Sequence, residues 1–174
     1  MVIETVHEDP VSSEKCYAYG RLTPSGVFRA EKMAYARGQS KRVFIAMGFK
    51  TEHSKAVKNG VKRGCAIIGL TAGTVDERDY VGDINDRIIS EIKQSKYVVA
   101  DYTGNNQGVY YESGFARGRG ITVIETCNEE WFHGKDKEGN KNKLHFDVEH
   151  RNMILWKDEK DLAAKIRDRI SSFD

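Results

Sequence analysis

The sequence predicts an α/β protein with a doubly wound, mainly parallel sheet of five strands, a three-layer sandwich of the Rossmann or flavodoxin type. From residue 41 onward, short apolar β-rich segments alternate with segments of helical periodicity. This alternation is typical of parallel sheets that are covered by helices on both faces. The length of 174 residues fits one such domain with a short appendage. We therefore assign 41–174 to the α/β domain and 1–40 to an N-terminal arm or a partial winged-helix-like segment.

Local patterns predict each element of the domain. Apolar, β-rich runs predict five strands, at 42–46, 65–70, 97–101, 121–125 and 152–156. Helical spacing of apolar residues predicts helices at about 53–63, from an Asp83 cap through 92, at 108–117 and from about 158 onward. In the arm, 27–37 is predicted to be helical, and the residues Leu22–Gly26 are similar to the end of many winged-helix domains. The polar stretch 128–143 is predicted to be a loop or lid.

Composition and charge exclude several classes of protein. The chain carries 28 basic and 26 acidic residues, a net charge of +2, and nucleic-acid binders usually show a basic stripe instead. We therefore do not expect a nucleic-acid partner. Mean hydropathy is −0.60 and no long apolar run is present, so a membrane span is not expected. The polar first ten residues do not resemble a signal peptide, and we expect a cytoplasmic protein.

The cysteine and histidine patterns give no indication of a metal site. Cys16, Cys65 and Cys127 are widely separated, and none belongs to a CxxC or Cys/His ligand pattern. The five histidines show neither HxxxH nor HxH spacing. We therefore expect neither a metal nor another cofactor.

The chemistry of such a fold is expected where the strands end, because ligands of parallel α/β sheets bind beyond the carboxyl ends of the strands. The first predicted strand delivers Ala46, Met47 and Gly48 to this edge, and the third delivers Asp101. A polar loop with two glycines follows Asp101 and leads into a helix. Glu112 lies a turn inside that helix, beside an apolar stripe, where periodicity leaves open whether it is exposed or partly buried against the sheet. A partly buried carboxylate is costly unless it is paired or used.

The stretch from Val98 to Arg117, VVADYTGNNQGVYYESGFAR, resembles the signature of the nucleoside 2-deoxyribosyltransferase superfamily. That superfamily includes the 2'-deoxynucleoside 5'-phosphate N-hydrolases. Its pattern is a strand ending in Asp or Glu, a short polar loop, Gly-Val, an aromatic or hydrophobic residue, then Glu-x-Gly. The resemblance is sharpest over 97–126 and extends in outline from 42 to 170.

The resemblance implies roles for individual residues. It makes Glu112 the nucleophile at the anomeric carbon, and it makes Asp101 the group that positions or protonates the leaving nucleobase. The transferases usually carry a second aspartate six residues before the nucleophile, where this chain has Asn106, and that difference favours hydrolysis over base exchange. The implied substrate contacts come from the loop after Ala46, from the residues around Gly108 and from the ring of a nearby tyrosine. The full set of expected contact residues is Ala46, Met47, Gly48, Thr103, Asn106, Gly108 and Tyr111.

The C-terminal part carries a second resemblance. Lys143–Asp147 followed by Asn152–Trp156 is similar to a bacterial group of TIR-like, predicted nucleotide-binding proteins, several of which act in stress or antiviral defence. TIR enzymes also use a glutamate on a helix that follows a strand. The alternatives to an N-glycosidase are therefore a TIR-like enzyme that cleaves NAD and a non-catalytic nucleotide sensor. All three imply a nucleoside, nucleotide or dinucleotide ligand, and relatives of this kind commonly form homo-oligomers. His145 and Asp147 are expected in a loop that closes over the site.

Overall fold

The computed structural model describes residues 3–5, 20–75, 84–135, 139, 141–142 and 144–173. The chain divides into two compact units, one within residues 1–39 and one within 40–174. In the first unit, two short strands pair antiparallel and are followed by one helix: β1 (Ile3–Thr5), β2 (Gly20–Leu22) and α1 (Pro24–Gly38). The helix begins three residues before the predicted start. Thr23 Oγ1 accepts a hydrogen bond from Gly26 N, and proline is favoured in the first turn of a helix.

The second unit is a five-stranded, all-parallel α/β sheet, so the predicted fold class is confirmed. Its strands are β3 (Arg42–Ala46), β4 (Thr71–Gly73), β5 (Tyr97–Asp101), β6 (Thr122–Asn128) and β7 (Ile154–Trp156). They lie in the order β4-β3-β5-β6-β7. The helices are α2 (Ser54–Ile67), α3 (Ile84–Gln94), α4 (Gln107–Gly118), α5 (Glu129–His133), α6 (Phe146–Glu149) and α7 (Glu159–Ser171).

The central strand β5 contributes side chains to two separate apolar cores. Tyr97 and Val99 pack in one core together with side chains of α2 and α7. Val98 and Ala100 pack in the other, together with side chains of α3 and α4. Successive side chains of a strand point to opposite faces of its sheet, so the two cores are the two interfaces of a three-layer sandwich.

The predicted second strand at 65–70 is wrong, because helix α2 continues through Ile67 and the strand is Thr71–Gly73. In α2, Val57, Val61 and Cys65 are buried and recur every four residues. The apolar run that begins at Cys65 is therefore the last turn of an amphipathic helix. Gly69, at a φ of 72°, follows the end of the helix in a conformation that glycine adopts without strain.

The other boundaries differ by smaller amounts. Strand β5 matches its predicted residues, and β6 starts one residue later and continues three residues further than predicted, to Asn128. The predicted loop 128–143 begins with helix α5, because Asn128 Oδ1 accepts a hydrogen bond from Trp131 N and caps that helix. The predicted cap Asp83 lies outside the described residues.

Candidate functional site

The candidate site lies at the carboxyl ends of β3 and β5, where the order of the strands reverses. Chain order runs outward from β3 to β4 on one side and from β5 to β7 on the other. Loops that leave two such neighbouring strands in opposite directions form the usual binding crevice of an open α/β sheet. Here the loops 47–53 and 102–106 meet: a Cβ added to Gly48 would lie 3.4 Å from Asn106 Cβ. The structure thus brings together Gly48 and Asn106, two of the expected contact residues.

Glu112 lies on α4, directly after this crevice in the chain. The helix packs on the sheet through Val109, Ser113 and Ala116, and Glu112 flanks that stripe in a half-buried position. Within the described part of the chain, no group donates a hydrogen bond to its carboxylate or forms an ion pair with it. Burial raises the pKa of Glu112 to about 7, because water solvates the charged form less well there.

Asp101 is the last residue of β5. Unlike Glu112, it is fully buried and has several hydrogen-bond partners. Its side chain is only 2% exposed. Thr103 N donates to Oδ1 at 3.1 Å, while Thr126 Oγ1 and Trp156 Nε1 donate to Oδ2 at 2.6 and 2.8 Å. Burial raises the pKa of Asp101, although these donors oppose the shift by stabilising the charged form. Asp101 is a buried carboxylate with both oxygens occupied.

Asp101 and the helix that carries Glu112 lie on opposite faces of the sheet. Asp101 contacts Trp156, which belongs to the core on the α2 and α7 side. Glu112 is carried by α4, which packs on the other face. Because Asp101 ends a strand and Glu112 follows that strand in the chain, the topology of a parallel sheet predicts that they face one crevice and raise each other's pKa. Instead, burial alone accounts for the raised pKa of Glu112, and it is the largest cause of the raised pKa of Asp101.

The remaining expected contact residues differ in what they offer a ligand. Ala46 and Met47 bury their side chains in the two cores. Thr103 is also buried, and its Oγ1 accepts from Asn128 N at 2.8 Å. Gly108 is exposed, but its N–H donates to the capping Asn106 Oδ1 at 2.9 Å. Tyr111, which directly precedes Glu112 in the sequence, is 63% exposed, so its ring is accessible to a ligand.

Another buried carboxylate near α4 is that of Glu125, which the sequence does not single out as catalytic. Glu125 of β6 is buried, and it contacts Arg117 of α4 at 2.6 Å and Arg151 at 3.6 Å. Tyr102 donates to Ser113 Oγ at 2.9 Å and lies 3.4 Å from Glu125 Oε1. These contacts fix the middle of α4 to the sheet. The sequence places Glu125 at the end of the fourth predicted strand, but it does not show that Arg117 and Arg151 pair with it, because these residues lie outside that strand.

The residues 144–149 pack along one flank of α4. Leu144 and Val148 are buried in the core on that face. The His145 ring lies 4.4 Å from the ring of Tyr110, and His145 N donates to Tyr110 Oη at 3.2 Å. Tyr110 and Glu112 flank the buried stripe of α4 on opposite sides, because successive helical residues are about 100° apart. The predicted loop is wrong at this point, because Asp147 lies on α6 and His145 directly precedes that helix. Closure of these residues over the site stays a prediction.

No group of three or more His, Cys, Asp or Glu side chains within the described ranges is arranged to hold a metal ion. Of the helices that the structure describes, none has both the length and the apolar character required to cross a membrane.

Comparison with known proteins identifies the fold alone. Neither models of protein families nor curated proteins give a match to this chain. Among solved structures, the crystal structure of a conserved protein from Enterococcus faecalis V583 is similar, with a TM-score of 0.55 and 16% sequence identity. The likeness covers 75% of this chain and 99% of the other. It supports the three-layer α/β architecture described above.

Proposed function

We propose that this protein is an N-glycosidase that cleaves the bond between base and sugar in a nucleoside or nucleotide, with Glu112 as the nucleophile. One observation carries the proposal: Glu112 is a half-buried carboxylate without a partner among the described residues, on the helix that follows the binding crevice. Structural ion pairs and capping contacts account for most buried carboxylates. A carboxylate that lacks both, and whose pKa is raised to about 7, is typical of a functional site.

The chemistry of a glycosidic bond suits such a group. Cleavage of the C–N bond passes through a sugar cation, and an ionised carboxylate stabilises this cation or adds to the anomeric carbon. The base leaves with the bonding electron pair and takes up a proton from solvent. Water then adds its hydroxyl group to the anomeric carbon, which breaks the sugar–carboxylate ester, restores the Glu112 carboxylate and returns a proton to solvent. Positive charge in the transition state favours the ionised form of Glu112, so a raised pKa in the free protein is compatible with this role.

Hydrolysis is favoured over base exchange because Asn106 replaces the aspartate that the resembled transferases carry. Asn106 is engaged as the cap of α4 through Gly108 N. Tyr111 is the most exposed ring near Glu112 in the chain, and we assign it to stack on the base or sugar. Asp101 receives no role in contacting substrate, since it is 2% exposed and held by three hydrogen bonds inside the sheet.

The test is incubation of the protein with deoxynucleosides, ribonucleosides, their 5'-monophosphates and NAD, with chromatography for the free base. We expect base release from a nucleoside or nucleotide, and Glu112→Gln should lower it by about a thousandfold or more. Glu130 of α5 is exposed, so Glu130→Gln is the matched control and should keep the wild-type rate.

Other outcomes of the same experiment identify the alternatives. Release of nicotinamide from NAD alone would show the TIR-like activity and overturn our proposal. Calorimetric binding of a nucleotide that mass spectrometry finds intact after long incubation would identify a sensor. An unchanged rate in Glu112→Gln would exclude Glu112 as the nucleophile, whatever the substrate.

A further inference from the structure

The hydrogen bonds to Asp101 join three parts of the carboxyl edge of the sheet. Oδ2 accepts from Thr126 of β6 and from Trp156 at the end of β7, and Oδ1 accepts from Thr103 N in the following loop. Both side-chain donors are fully buried. A buried carboxylate loses much of its hydration, and several donors are needed to offset that cost. The arrangement therefore holds Asp101 in one orientation.

These contacts fix the start of the loop that leads to α4. Thr103 donates its N–H to Asp101, and its Oγ1 accepts from Asn128 N of β6 at 2.8 Å. Asn105 N donates to Tyr102 O at 2.9 Å and closes a tight turn. Within that turn, Gly104 and Asn105 have φ values of 82° and 55°, in the left-handed region where few conformations are available.

The end of the same loop is the start of α4. Asn106 caps the helix, and only Gly104 and Asn105 separate it from Thr103. A displacement of Thr103 therefore moves the capping residue and the first turn. Glu112 follows Asn106 by six residues, within the first two turns of the helix. Its burial depends on how closely this part of α4 lies against the sheet.

We propose that Asp101 is a positioning residue, which fixes the loop 102–106 and through it the place of Glu112, and which does not contact substrate. The inference rests on the proposed function of Glu112. It assigns to Asp101 a role distinct from the contact with the nucleobase that the family resemblance implies. Asp101 is only 2% exposed, so burial keeps a ligand from the one lone pair that its three hydrogen bonds leave unused.

Two variants test this role. Asp101→Asn replaces an acceptor oxygen with an N–H₂ donor, which opposes Thr103 N or the Thr126 and Trp156 donors in either orientation. Thr126→Val removes one donor and leaves every charge in place. Asp86 is exposed in the first turn of α3, and Asp86→Asn is the matched control for the loss of a carboxylate.

The first measurement needs no substrate. Carbon-detected NMR titration of Glu112 should show its pKa lowered by about half a pH unit or more in both variants, as water reaches the carboxylate. The Trp156 indole N–H should exchange about tenfold faster or more in Asp101→Asn. The Trp131 indole serves as an internal reference. Because Thr126→Val changes no charge, a lowered Glu112 pKa in that variant reports movement of α4. An unchanged Glu112 titration in both variants would overturn the proposal.

The second measurement uses whichever substrate releases base. Both variants should lower kcat by about tenfold or more, with KM and the preference among bases unchanged, because a misplaced nucleophile affects the chemical step. A change in base preference that occurs in Asp101→Asn and not in Thr126→Val would show a direct contact and overturn the proposal. If no substrate is cleaved, the proposed function fails, and the NMR measurement still decides the role of Asp101.

Discussion

Asp101 and Glu112 are separated by one loop and half a helix, yet their surroundings are opposite. Asp101 is buried and accepts three hydrogen bonds, one from the loop that follows β5 and two from β6 and β7, which lie on one side of β5 in the sheet. Glu112 is half-buried and accepts none from the described residues, and its pKa is raised to about 7. Burial alone therefore does not identify a functional carboxylate. A fully paired carboxylate is explained by the fold, whereas a half-buried one without partners requires another explanation.

Glu125 extends the comparison to a third carboxylate. It is buried as deeply as Asp101, but it is paired with two arginines instead of neutral donors. Together, Asp101 and Glu125 fix the start and the middle of the helix that carries Glu112. Partnered and unpartnered carboxylates should therefore differ in their effects on activity and on stability.

The largest expected effect is the pH dependence of base release. If Glu112 acts as an ionised nucleophile with a pKa of about 7, kcat/KM falls as pH decreases below 7. At pH 5 we expect a loss of about a hundredfold relative to pH 8, a factor of ten for each pH unit. Circular dichroism at both pH values serves as the control for folding. A constant kcat/KM over this range would show that the reaction does not require ionised Glu112.

The next effect is the loss of a partner from Glu125. Arg117→Met keeps much of the side-chain volume and leaves the buried carboxylate with Arg151 at 3.6 Å. We expect the free energy of unfolding to fall by about 2 kcal/mol, less than for a fully buried pair because Arg117 is partly exposed. Urea denaturation measures this change. Arg167→Met, which breaks an exposed pair with Asp168, should cost about 0.5 kcal/mol or less. Equal effects of the two variants would contradict the structural role of Glu125.

Most of the fold was predictable because its signals are local. The continuous apolar run 97–101 predicts a buried parallel strand, and β5 has those residues. The run at 65–70 is equally apolar, but short apolar runs do not distinguish a strand from the last turn of a buried helix. The preceding Val57 and Val61 identify this run as helical, because Cys65 continues the buried helical face that they begin.

The candidate site was predictable only in part, for the same reason. The sequence places Glu112 beside the buried stripe of α4, because helical spacing is local. Two of the three hydrogen-bond partners of Asp101 are 25 and 55 residues away in the chain, and no spacing rule connects them to it. The topology of a parallel sheet predicts that both residues lie at one crevice, whereas the side chain of Asp101 lies on the α2 and α7 face of the sheet and α4 packs on the other face.

A smaller effect is expected for Thr126→Val, measured as stability. The variant removes the 2.6 Å hydrogen bond to Asp101 Oδ2 without changing shape, and a hydrogen bond to a charged group contributes more than a neutral one. We expect the free energy of unfolding at pH 7 to fall by about 1.5 kcal/mol. Thr122→Val, at the exposed start of β6, is the control and should change stability little. A similar stability for both variants would mean that Asp101 is not held by this bond.

The smallest effect is on the free energy of unfolding in a Glu112 variant, which we expect to rise, whereas it falls in the variants above. Its folded-state pKa of about 7 lies above the ordinary value of 4.5, so ionisation of Glu112 destabilises the folded state. This cost is absent below pH 4.5, grows as pH rises toward 7 and is fully present above 7. Glu112→Gln removes it, and we expect the variant to be more stable than wild type by about 1 kcal/mol at pH 8, after allowance for residual hydration of the carboxylate. At pH 4 the two proteins should have nearly equal stability.

Thermal denaturation at both pH values measures the difference in stability between Glu112→Gln and wild type, with Glu130→Gln as the control. A variant that is less stable than wild type at pH 8 would show that Glu112 has a stabilising partner, and the contrast with Asp101 would then be lost.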